Sequence, residues 1–188
     1  MSHRSLVAAL ILVAIVMVAG VVHIASLLLL PRVAPEDAYA RLAVFAAGDG
    51  LRVLPRAGLP GDPLPGRDPS VATAVCRYDL DRGPLRVSAA VDGRGFVALS
   101  LHSRSGIAFY GLDDRAENDG RLDFVLLTAS QREAAQARDT AEGQTREVRV
   151  VAPEARGFIL FDILPRLGSY AEAERGLASM RCSVERPV

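Results

Sequence analysis

The chain has 188 residues, 22 basic and 22 acidic, and a formal net charge of zero. Every basic residue is arginine, and the lack of lysine excludes the Walker phosphate loop, the Schiff-base and kinase lysines, and the Ser-x-x-Lys hydrolase pair. Arginines and carboxylates are interspersed without a basic block, which argues against nucleic acid as a partner, since its binding demands a concentrated cationic footprint.

The first element is an apolar run from Leu6 to Leu30, broken only by His23 and Ser26. It holds about 25 residues, against the roughly 20 that a helix needs to cross the hydrocarbon core and the roughly 7–15 of a secretory signal. It continues through four leucines into Pro31-Arg32 with no small-x-small cleavage site. The prediction is an uncleaved signal anchor over residues 1–32 followed by one domain over residues 33–188. A cleaved signal and a buried soluble helix are the competing readings. Arg4 precedes the span while Arg32 and Arg41 follow it, so charge alone barely orients it. The very short N-terminal tail favours export of the domain. His23 is an ionisable group within the span; it lies near the interface or packs on another transmembrane helix, which would mean a membrane partner or self-association.

In "APEDAYARLAVFA", Pro35 suits a first helical turn, Glu36 and Asp37 complement the helix dipole, and Ala38, Leu42 and Phe45 share a face. A short amphipathic helix is expected. The stretch "PRAGLPGDPLPGRDP" is too rich in proline and glycine for helix or central strand. It reads as a surface loop, or as a recognition segment through its Pro-x-x-Pro at Pro60 and Pro63. Leu59, Pro63 and Leu64 place apolar groups on a segment that has no sheet to bury them, and are the candidate partner surface.

From Val75 onward the pattern alternates. "PLRVSAAV" and "FVALSLHS" are strands with Asp92-Gly93 in the turn between them, followed by "IAFYGL", "RLDFVLLT", "TREVRVVA" and "RGFILFDIL". Short strands at this spacing predict an antiparallel sandwich. Thr128 with Gln131, and Ser130 with Glu133, both have capping-box spacing ahead of one helix; Ser169 with Glu172 repeats it ahead of another. In the second, Tyr170, Ala173, Leu177 and Met180 form a stripe that should pack on the sheet. Cys182 follows that helix. Cys76 and Cys182 are the right number for one disulfide in an exported domain and would be small buried core residues in a cytoplasmic one.

No chemical signature survives close reading. Gly93, Gly95 and Ala98 match G-x-G-x-x-A, but a strand pattern follows where a dinucleotide site needs a helix, so a hairpin turn is expected. Aligning Gly120 with the invariant glycine of an EF-hand puts Arg115 and Leu126 at ligand positions, which excludes that motif. Asp113, Asp114, Glu117 and Asp119 leave an irregular cation site or a solvated turn. His102 is the only histidine beyond the span, so a multi-imidazole zinc site is excluded. It is either a polar-face residue opposite Val97, Leu99 and Leu101 or a general base working with Asp113 or Asp114. No cofactor is implied.

Asp68-Pro69, Asp79-Leu80, Gly83-Pro84, Gly95-Phe96 and Phe109-Tyr110 together resemble the bacterial domain-of-unknown-function family twelve fifty-four, over roughly Asp68 to Arg115. The resemblance implies an immunoglobulin-like β-sandwich and no agreed catalytic residues. It also implies a sister domain, absent here, as a separately encoded membrane partner. The leading expectation is thus a mainly β (α+β), non-enzymatic protein of the bacterial inner membrane, with its domain in the periplasm, acting through association. The alternative is an anchored periplasmic hydrolase-like enzyme built on His102 and neighbouring carboxylates; a cytoplasmic domain with free thiols stands third.

Overall fold

The computed structural model describes residues 3–33, 37–46, 50–142, 147–166 and 169–185. The chain divides into two units, one ending at Asp37 and one beginning at Ala38. In the first, helix α1 (His3–Val33) takes in the whole apolar run, and its stretch His3–Leu30 is long and apolar enough to cross a membrane. Ser26 donates its hydroxyl to the Val22 carbonyl at 2.8 Å, which satisfies that polar group within the helix itself.

The second unit is α+β. It runs α2 (Ala38–Phe45), β1 (Leu51–Val53), β2 (Ala72–Asp79), β3 (Leu85–Ala90), β4 (Gly95–Ser103), β5 (Ala108–Asp113), β6 (Arg121–Leu127), α3 (Ala129–Glu142), β7 (Arg149–Val151), β8 (Arg156–Pro165), α4 (Tyr170–Ser179) and β9 (Arg181–Val184). One sheet has the order β1-β2-β8-β4-β5 and the other β7-β6-β3-β9. All neighbours are antiparallel except β6 and β7, whose parallel pairing requires a crossover, and α3 supplies it. Helix α3 opens on the Thr128–Gln131 capping pair: the Gln131 side chain accepts the Thr128 N–H at 2.9 Å, and the Gln131 N–H donates to the Thr128 hydroxyl at 3.3 Å.

On β4 every second side chain, including Val97, Leu99 and Leu101, points into a core shared by both sheets. Tyr78, Ile159 and Phe161 enter it from the first sheet, and Val87, Phe124 and Leu126 from the second. Helix α4 adds Ala173 and Leu177, with Met180 just past its end, as its stripe predicted. Cys76 on β2 and Cys182 on β9 form a disulfide across the two sheets, with Cα atoms 6.5 Å apart. A second apolar cluster covers the other face of the first sheet: Leu42 and Ala46 from the α2 end, Leu54 and Leu64 from the segment after β1, and Val75 and Phe158 from the sheet. Strand β2 is therefore covered on both faces, which is why it reads as a nearly continuous apolar run.

Tyr78 and Gly157 are register partners, and a side chain at 157 would overlap the Tyr78 ring and the His102 carbonyl. Glycine there lets the Tyr78 hydroxyl reach the His102 carbonyl at 3.1 Å.

Several expectations are corrected. Residues 92–93 do not close a hairpin: β3 pairs with β6 and β9 while β4 pairs with β5 and β8, so this turn carries the chain from one sheet to the other. Alternation identifies a strand but not its partner. Leu64 is buried and belongs to the second cluster rather than to an exposed surface. The Pro/Gly segment is organised by Asp62, which accepts the N–H groups of Gly58 and Leu64 and pairs with Arg67 at 2.8 Å. Strands β1 and β9 are too short for a readable period. Pro35 and Glu36, and the start of "TREVRVVA", lie outside the described residues.

Two outcomes are expected. Replacing both cysteines with alanine releases a 106-residue loop, and loop-closure entropy sets the loss near about 4–5 kcal/mol. Denaturant unfolding of the full chain in detergent micelles, with and without reductant, measures this; an unchanged midpoint refutes it. Gly157→Ala should destabilise the same transition by about 1–3 kcal/mol through overpacking, and wild-type stability in that variant would refute the close approach.

Candidate functional site

His102 stands on the outer face of β4, its ring stacked on Phe158 with centroids 4.8 Å apart. Its Nδ1 lies 3.1 Å from the Gly106 carbonyl and its Nε2 lies 3.0 Å from the Ser100 hydroxyl. A carbonyl only accepts, so Nδ1 carries the proton in that contact and Nε2 accepts from Ser100. Asp113 and Asp114 do not join this group. Asp113 is the register partner of Ala98, four residues from His102 along the strand, or about 13 Å at strand rise. It instead accepts the Arg115 N–H at 3.0 Å, and Asp114 pairs with Arg166 at 3.4 Å. The general-base partnership expected for these carboxylates is corrected: the run of the strand sets them apart.

Glu117 accepts the Gly120 N–H, and Asp119 takes a left-handed backbone with φ 51°. Among the described residues no three His, Cys, Asp or Glu side chains gather as a metal site.

A further carboxylate on the outer face is Asp162, on the outward row of β8 and opposite Thr73 and Ala98. Thr73 donates its hydroxyl to it at 2.7 Å. Burial holds its pKa above the ordinary 3.8, outweighing the Thr73 hydrogen bond and the nearby Arg67 charge. Sequence reading missed Asp162 because "FILFDIL" is a buried strand in which one acid looks like an outward polar position.

Several cavities are lined by the described residues of the second unit. One, about 390 Å³, is lined by Tyr39, Arg77, Tyr78, Asp79, Arg156 and Ser183 among others, beside the disulfide. Another, about 260 Å³, lies between α4 and the ends of β3, β4 and β8, and a third, about 200 Å³, lies beside α3. None of the three contains His102. The arginine-lined cavity was also missed, although the signal was present: Arg77 is the one charged residue within "ATAVCRY". Of the apolar candidates on the Pro/Gly segment, Leu59 is 55% exposed and Pro63 is half-buried.

No family model and no curated protein matches the chain. Solved structures align with most of the chain. The VPA0106 protein of Vibrio parahaemolyticus aligns with a TM-score of 0.53 and 11% identity, over 81% of this chain and 38% of that one. An uncharacterised protein of Burkholderia cenocepacia aligns with a TM-score of 0.45 and 13% identity, over 81% of this chain and 41% of that one. The chain thus matches about two fifths of the length of each.

Asp162 carries a pH signature. Its folded pKa is raised, so the folded state binds more protons than the unfolded state between the unfolded value near 3.8 and the folded one. Its contribution to stability is therefore greatest below that window, falls as pH rises through it, and is constant above. Asp162→Asn should remove this fall while keeping an acceptor for Thr73. Unfolding midpoints of both proteins across the acid range measure it, and parallel curves would refute the assignment.

Proposed function

We propose that the chain is a single-pass, membrane-anchored protein of the bacterial inner membrane that displays its two-sheet domain in the periplasm as a binding or assembly module. The observation that carries this reading is the Cys76–Cys182 disulfide in a chain that begins with a helix long enough to span a membrane. Structural disulfides persist in oxidising compartments and are rare in the bacterial cytosol.

An immunoglobulin-like relationship is supported by strand order. The run β1-β2-β8-β4 corresponds to A-B-E-D, the β3–β9 pair to C–F, and the disulfide to the B–F link between sheets. The Vibrio protein is far longer than the matched part. The resemblance to family twelve fifty-four supplies a candidate partner, a sister domain on a membrane protein anchored alongside. Leu59 and Pro63 offer apolar groups to such a partner, and His23 offers a polar contact to a neighbouring transmembrane helix or a second copy.

A second reading is favoured by one contact. His102 Nε2 accepts from Ser100 while Gly106 holds the tautomer, the arrangement of a nucleophile beside its base. An anchored hydrolase would then act through Ser100 and His102, without Asp113 or Asp114. A fluorophosphonate probe that labels wild type but not Ser100→Ala would favour it, and absent labelling would end it.

The thiol state in intact cells tests the display. Maleimide-polymer labelling only after reduction is expected; labelling of both thiols after denaturation without reductant would overturn the periplasmic reading. For association, a photo-crosslinking amino acid at Leu59 should yield a discrete adduct with a membrane protein. Its absence, with an equal yield from a buried control position, would remove this loop as the contact.

A further inference from the structure

Arg77 stands on the outward row of β2, opposite Phe158 in register. Its guanidinium lies over the Tyr39 ring, 4.7 Å from the centroid, and its Nη2 donates to the Tyr39 hydroxyl at 2.9 Å. Its Nε is buried and has no hydrogen-bond partner. Among the described residues no carboxylate forms an ion pair with it. Arg77 is thus a fixed cation, held by a phenol, on the wall of the 390 Å³ cavity. The acids nearby are engaged elsewhere: Arg156 pairs with Asp79 at 3.3 Å and with Asp81 at 3.1 Å.

An arginine on a cavity wall with no carboxylate beside it carries uncompensated positive charge, which attracts an anion. The surroundings suit an anion. Because the Tyr39 oxygen accepts from Arg77, its own proton is left to donate. Ser183, on β9 at the edge of its sheet, also lines the cavity. Arg82 also lines the cavity, so arginines outnumber acids on its wall. Guanidinium donors in a fixed fork match the oxygens of phosphate, and several convergent donors favour its greater number of acceptors over a carboxylate.

We propose that this cavity binds a phosphoester, with Arg77, set on Tyr39, receiving the phosphate oxygens. A water-soluble phosphoester and a phospholipid headgroup both present that chemistry. The proposal is independent of which side of the membrane the domain occupies, and its test does not use the thiols.

The test is calorimetric titration of the full chain in neutral detergent micelles with sn-glycerol phosphate and with inorganic phosphate, using sodium chloride as the control. Saturable binding of glycerol phosphate is expected, weakened about tenfold or more in Arg77→Met, the equivalent of losing one charge-assisted contact. Arg77→Lys keeps the charge without the fork and should fall between, and Tyr39→Phe keeps the ring while losing one donor and should weaken binding less. These two variants preserve the packing should Arg77→Met fail to fold. Repeating the titration in nanodiscs separates the sources: lower apparent affinity in phosphatidylglycerol than in phosphatidylcholine marks the lipid headgroup as a competitor, and equal affinity marks the soluble ester. No saturable heat with either phosphate, or equal affinity in wild type and all three variants, overturns the proposal.

Discussion

The five-stranded sheet must be covered on both faces, and most of this domain follows from that requirement. Its inner face meets the four-stranded sheet across a core filled by Leu99, Leu101, Ile159 and Phe161. Its outer face is too apolar to leave in water, with Val75, Phe158 and Leu160 in adjacent positions. Helix α2 and the Pro/Gly segment close over it, and burial of apolar side chains is the force that holds them there. This explains how a segment with five prolines comes to be ordered: it is a lid whose Leu64, with the preceding Leu54, enters a core.

Covering a sheet face that also carries polar residues gives each of those groups a defined partner. Asp162 takes the Thr73 hydroxyl, Arg67 crosses to Asp62 inside the lid, and His102 lies flat on Phe158 between Ser100 and Gly106. Arg77 also has a partner, but an uncharged one. It emerges at the margin of the same cover, where Tyr39 caps its face but does not neutralise it.

The disulfide serves a different part of the architecture. Strand β9 is a short edge strand that follows α4, and four residues paired on one side only hold it weakly. Linking Cys182 to Cys76 ties the chain terminus to an interior strand of the opposite sheet and fixes the wall of the arginine cavity, which Ser183 and Val184 line. Stability and site geometry thus depend on the same bond.

The sequence by itself determined whatever depends on neighbours along the chain. The apolar run became α1, alternation in "FVALSLHS" became β4 with its faces as read, and the caps at Thr128 and Ser169 opened helices. The stripe on α4 packed as its spacing required. What it did not determine depends on contacts between distant segments. Strand partners were invisible because a period of two is the same in either sheet, so Asp92-Gly93 looked like a hairpin. Leu64 looked exposed because the face that buries it belongs to β2 and β8. Asp113 was set apart from His102, and Arg77 gained Tyr39, through registers and helix placement that only the folded chain creates. Local periodicity encodes which face of an element is apolar; only tertiary packing decides what that face meets.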